Sequence, residues 1–177
     1  MISKKHAITA AHCFEDDEMK PPFSVKIGGR RHRVVKVLLN PCYSFRKGGY
    51  PEGADLAILV LQRESRVRPV PIYNKQDEVG KTIEIVGWGD STKAGGRKPR
   101  DGEGGNKFRR GQNRVTSVRG NTVTYVMDRP SSSKALPLEA IAWSGDSGGP
   151  AFIKDKGTTY IAGVNSSGDC CRYGVED

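Results

Sequence analysis

The run SGDSGGPAF, residues 144–152, sets one serine, Ser147, among glycines and a proline. Gly and Pro both oppose a helix interior, so the run predicts a tight turn entering a strand. A serine hydroxyl is a weak nucleophile at neutral pH. It needs a base beside it, and the base needs an orienting acid. The candidate bases are His6, His12 and His32. His12 lies in TAAHC, at the end of a predicted strand, between small residues that let another backbone approach closely. His6 and His32 lie among lysines and arginines, where a neutral, accepting imidazole is harder to sustain. Asp55, in GADLAILVL, opens an apolar strand with no Lys or Arg immediately beside it. Taken singly, each residue has a plain structural reading: a strand-end histidine, a turn aspartate, a Gly-rich turn. Together they supply a nucleophile, a base and an orienting acid.

The elements that must position them are strands. HAITA, SVKIG, RHRVVKVLL, ADLAILVL, TIEIVGW, NRVTSV, NTVTYVM, PAFI and TTYIAGV are short, rich in β-branched residues, and bounded by Gly, Pro, Asn or Asp. That pattern predicts an all-β sandwich or barrel. No amphipathic helix and no fixed-period repeat is visible. VRPVPIYNKQDEVG, residues 67–80, interrupts the strand pattern and reads as a linker between two halves, 1–75 and 76–177. Residues 93–114, KAGGRKPRDGEGGNKFRRGQNR, are rich in Lys, Arg and Gly and predict an exposed, mobile loop with almost nothing to bury.

The chain has 177 residues, room for one domain or two small lobes sharing a core. No stretch approaches a membrane span, and the start, MISKKHAITAAHC, is not a secretory signal peptide. A net charge of +9 favours acidic partners or polyanions. Nucleic acid is not the expected partner, because the basic loop holds one aromatic, Phe108, and no stacking pattern. The four cysteines, Cys13, Cys42, Cys170 and Cys171, fit no zinc spacing and permit disulfides. The acidic run at 15–18 reads as a solvated loop, and neither metal nor cofactor is expected.

TAAHC, DLAIL, GWG (87–89) and GDSGGP, in that order, carry a resemblance. The chain resembles a trypsin-like, chymotrypsin-fold serine protease, a single peptidase domain over 1–177. In FRRGQNRV and SSGDCCRYGV it looks more like the bacterial secreted members. The resemblance implies two six-stranded-type antiparallel β-barrels, incomplete at both the N- and C-termini. It implies a serine-type endopeptidase acting on protein or peptide substrates, in a secreted or periplasmic setting. Catalysis would fall to His12, Asp55 and Ser147, and the oxyanion hole to the N–H groups of Gly145 and Ser147. Substrate binding would fall to Ile141 at the pocket floor and to Ser166, Ser167 and Gly168 along its wall.

Departures from the family set further expectations. Trypsins place an aspartate where this chain has Ile141, and an apolar floor cannot pair a buried cation. Lys/Arg specificity is therefore not expected, unless Glu139 reaches the pocket. Trp143 stands where the family often has a cysteine, so the family disulfide pairing cannot simply be inherited. The family's activating N-terminal amine pairs with the acid matching Asp146. Without that amine, a buried Asp146 would lack a cation, and the loop bearing Gly145 would relax. The competing reading is a non-catalytic protease homologue that serves as a binding module.

Overall fold

The computed structural model describes residues 1–15, 19–43, 53–93, 105, 107–168 and 173. Among them are nine strands: β1 (His6–Thr9), β2 (Phe23–Ile27), β3 (Arg30–Leu39), β4 (Ala57–Leu61), β5 (Thr82–Gly87), β6 (Arg109–Arg119), β7 (Thr122–Tyr125), β8 (Pro150–Asp155) and β9 (Thr158–Val164). Each falls on one of the nine short apolar runs. A 3-10 turn, His12–Phe14, follows β1. The fold is all-β.

The strands form two antiparallel sheets, in the orders β1-β4-β3-β2 and β7-β6-β5-β8-β9. Alternation fixes which face of each strand is buried. In β4, Ala57, Leu59 and Leu61 are buried while Ile58 and Val60 are not. Leu59 and Leu61 join Val34 in the first core, against which Phe23, Val25, Ile27 and Val37 pack. The second core gathers Tyr73, Ile83, Ile85, Val115, Tyr125, Ala151 and Ile153. Between the sheets, residues 71–73 lie beside β9: Tyr73 N–H donates to Ile161 O at 2.8 Å, and Ile161 N–H to Pro71 O at 2.9 Å.

Residues 93–114 depart from expectation. Residues 109–114 are not loop but the first half of β6, paired with β5 from Gly87↔Arg109 to Thr82↔Arg114. Gly111 and Asn113 point inward and are buried, while Arg110 and Arg114 are exposed. The alternation is present, but its inward residues are not apolar. Gly111 is needed because a Cβ there would overlap Ala140 Cβ. Asn113 is satisfied by donating through Nδ2 to Ala140 O at 3.0 Å. Residues 94–104 and 106 lie outside the described residues, as do residues 16–18 of the acidic run and Cys170 and Cys171.

Candidate active site

Strand pairing brings His12 and Asp55 together. β1 and β4 run antiparallel with Thr9 opposite Ala57, so the chain leaves β1 and enters β4 at the same end of the sheet. His12 follows β1 and Asp55 precedes β4. The small residues between make the approach close: Ala10 and Ala11 are 0% exposed and Ala54 4%. The His12 backbone N–H donates to Asp55 Oδ1 at 2.8 Å. The His12 ring nitrogen Nδ1 lies 2.6 Å from Asp55 Oδ2. This two-point attachment orients the ring. With Nδ1–H donating to the carboxylate, Nε2 is the accepting nitrogen. The other histidines lie elsewhere: His6 Nδ1 is 2.7 Å from Ser3 Oγ, and His32 sits opposite Val25 in the β2–β3 hairpin.

The second sheet repeats the construction. β8 and β9 pair with Pro150 opposite Val164, so Ser147, ahead of β8, and Ser166, beyond β9, emerge at one rim. Gly148 N–H donates to Asn165 O, and Asn165 N–H to Gly149 O, both at 2.8 Å. Gly148 adopts φ +76°, and a Cβ there would overlap Thr9 Oγ1 and lie 3.1 Å from Ala10 N. The turn holding the exposed Ser147 is thus flush against the segment that leads from β1 to His12. Within this turn the N–H groups of Asp146, Gly148 and Gly149 bond to Trp143 O, Asn165 O and Asp146 O. Those of Gly145 and Ser147 have no acceptor among the described residues.

Asp55 is 6% exposed. Burial alone would push its carboxyl up. The Ser166 hydroxyl, the His12 ring and the His12 N–H all bond its charged form, and together they hold it below the ordinary aspartate value. The Ser166 bond, Oγ to Oδ2, measures 2.5 Å. Sequence reasoning assigned Ser166 to the substrate-binding wall and missed this contact, for which no local signal exists.

A cleft of about 890 Å³ opens between the sheets, lined by Asp55 and Leu56 from the first and by Ser147, Ser166, Ser167 and Gly168 from the second. Ile141 is not among its lining residues. It packs against the second core and lines a neighbouring cavity of about 880 Å³, which also holds Asp146 and Glu139. Glu139 is committed to backbone there: Oε1 accepts from Asp128 N–H at 3.1 Å and Oε2 from Leu136 N–H at 2.9 Å.

Asp146 is half-buried and has found partners, contrary to the expectation of a starved carboxylate. Oδ1 accepts from Gly89 N–H at 2.8 Å and Oδ2 from Trp143 N–H at 3.1 Å. The glycines of GWG make room for it, since a Cβ at Gly87 or Gly89 would run into the carboxylate. Each carboxylate oxygen of Asp146 thus accepts one backbone N–H. Among the described residues Cys13 and Cys42 are free thiols, and no cluster suited to a metal is present. No described helix is long and apolar enough to cross a membrane.

This arrangement has counterparts among known proteins. The family model described as Trypsin matches residues 1–175. Vitamin K-dependent protein C of Rattus norvegicus is 26% identical over 203 residues, covering 99% of this chain and 42% of that protein. The suppressor of tumorigenicity 14 protein homolog of Bos taurus is 25% identical over 199 residues, covering 97% of this chain and 22% of that protein. The chain therefore spans less than half the length of either relative. Among solved structures, neuropsin, a serine protease expressed in the limbic system of mouse brain, aligns with a TM-score of 0.68 at 23% identity, over 96% of this chain and 75% of that one. That likeness speaks for the fold, and the family match extends over nearly the whole sequence: the chain belongs to the trypsin family of serine proteases.

Proposed function

We propose that this chain is a serine endopeptidase whose reacting groups are Ser147, His12 and Asp55. The observation that carries the reading is the two-point bond between His12 and Asp55 at the edge of the cleft that exposes Ser147. Ser147 Oγ attacks the scissile carbonyl and His12 Nε2 takes its proton. His12 then returns the proton to the leaving amine, an acyl-enzyme remains, and water attacks it by the same route. Asp55 fixes the imidazole tautomer and balances its positive charge. The unengaged N–H groups of Gly145 and Ser147 receive the developing oxyanion. A donor of that kind is worth about 3–4 kcal/mol in the transition state.

The substrate preference we propose is for an uncharged residue at the cleaved position. Among the described residues lining the cleft, Asp55 is the one carboxylate and there is no Lys, Arg or His; Asp55 is already bonded by His12 and Ser166. Glu139, the acid that could have welcomed Lys or Arg, is held by two backbone N–H groups. Membership of the family supports a secreted or periplasmic site of action.

Peptide turnover by single and combined variants tests the reading. Ser147→Ala, His12→Ala and Asp55→Ala should each remove most activity, and the triple variant should be little worse than the worst single one. Additive losses would contradict it. Turnover that persists in Ser147→Ala would contradict the assignment of Ser147, and turnover absent from the unmodified chain would favour the non-catalytic reading.

A further inference from the structure

The surface cations of this chain fall into two kinds. Several are paired: Lys4 with Glu64, Lys75 with Asp155, Lys81 with Asp77, Arg110 with Glu84. Those of the β2–β3 hairpin have no such partner among the described residues. Phe23, Val25, Ile27 and Val34 turn inward to the first core, which sends Lys26, Arg31 and Arg33 outward. Lys26 stands directly opposite Arg31, and Arg33 opposite Ser24. Like charges directly opposite one another across a ladder are destabilising. No described acid pairs with any of the three.

A second segment extends the same field. The hairpin turn rests on Val67, because a Cβ at Gly28 would overlap Val67 Cγ2. Ser65 is 4% exposed, donates its N–H to Lys4 O at 2.8 Å, and accepts the Val67 N–H on Oγ at 3.2 Å. With Ser65 and Val67 held inward, Arg66 and Arg68 are exposed beside the hairpin. They too have no carboxylate partner among the described residues.

We infer that the β2–β3 hairpin with residues 66–68 is a binding surface for a sulfated polysaccharide chain, separate from the proposed catalytic cleft. The array is two strands wide. Cations repeat about 6.6–6.8 Å along a strand and about 4.7–4.9 Å across the pair, a spacing for the closely set sulfates of one flexible chain. Arginine predominates, and its planar fork suits tetrahedral oxyanions. The outward positions among the cations hold no aromatic, so nothing stacks an unpaired base. They hold no large apolar anchor either, which a protein partner would need at the centre of its interface. The exposed Val35 sits at the bulge of β3, and the exposed Leu38 and Leu39 lie beyond it.

Heparin is the probe. The full chain should bind it in a salt-dependent manner, with affinity falling steeply as salt rises. Lys26→Ser/Arg31→Ser/Arg33→Ser should weaken binding about tenfold or more. A control with equal charge loss in the second half of the chain, Arg119→Ser/Lys134→Ser/Lys154→Ser, should leave it within about twofold. Fully desulfated heparin should not bind. The hairpin variant should also melt no lower than the parent, because it relieves the Lys26–Arg31 repulsion. The inference is overturned if heparin does not bind, if the control variant loses as much as the hairpin variant, or if the hairpin variant unfolds. Duplex DNA or an acidic peptide binding as tightly as heparin would overturn it as well. Peptidase activity plays no part in these measurements, so the outcome is independent of the catalytic reading.

Discussion

The Ser166 hydroxyl donates to Asp55 Oδ2 across 2.5 Å, joining a residue that follows β9 of the second sheet to one that precedes β4 of the first. The carboxylate on which His12 depends is thus held by both halves of the molecule. Docking of the two sheets and orientation of the imidazole become one structural event.

Ser166→Ala should loosen that coupling. A hydrogen bond to a charged group is worth about 1.5–3 kcal/mol net, and the carboxylate it leaves is 6% exposed. The expected result is a loss of roughly tenfold in kcat with KM little changed, since Ser166 positions Asp55 through its hydroxyl. Ser166→Thr, which keeps a hydroxyl, should restore part of the rate. A variant with unaltered kcat and raised KM would show that Ser166 serves substrate binding alone.

Asp55 makes stability depend on acid. Its folded carboxyl titrates below the unfolded value of about 3.9, so within that window the unfolded state binds more protons. Its contribution is complete above the unfolded value and is lost as pH falls through the lowered folded one. The Tm of the parent should therefore drop toward that of Asp55→Asn on acidification, the gap closing at the acid end. A gap that stays constant from neutral to strongly acid pH would contradict this.

Gly148 and Gly157 make a matched pair of tests. Both have positive φ, +76° and +81°, a conformation costing other residues about 1–2 kcal/mol. A Cβ at Gly157 meets nothing within 4 Å, whereas one at Gly148 overlaps Thr9. Gly157→Ala should lower Tm modestly and keep turnover. Gly148→Ala should lower Tm further and abolish most turnover, because the turn carrying Ser147 can no longer lie against residues 9–10. Equal effects at the two positions would mean that the close approach has no functional weight.

Legibility in the sequence followed the chemistry of the buried face. Where inward positions are Ile or Leu the strand stands out, as an unbroken apolar run in β4 and as alternation in β5. In the first half of β6 the inward Gly111 and Asn113 sit among arginines, and that half reads as loop. The contact of His12 with Asp55 is written in neither local segment. It follows from the antiparallel pairing of β1 with β4, of which the sequence displays only the two apolar runs. The partners of Asp146 were hidden for a related reason. Backbone N–H groups carry no residue identity, and the glycines at 87 and 89 were the only trace of the space it occupies.

Ser147 should behave as an activated nucleophile, and covalent labelling reads that property without a substrate. The chain should be treated with a fluorophosphonate probe, digested, and the adduct located by tandem mass spectrometry. A single adduct is expected on Ser147, formed far faster than on free serine and lost in both Ser147→Ala and His12→Ala. Labelling spread over other serines, or unchanged in His12→Ala, would contradict it.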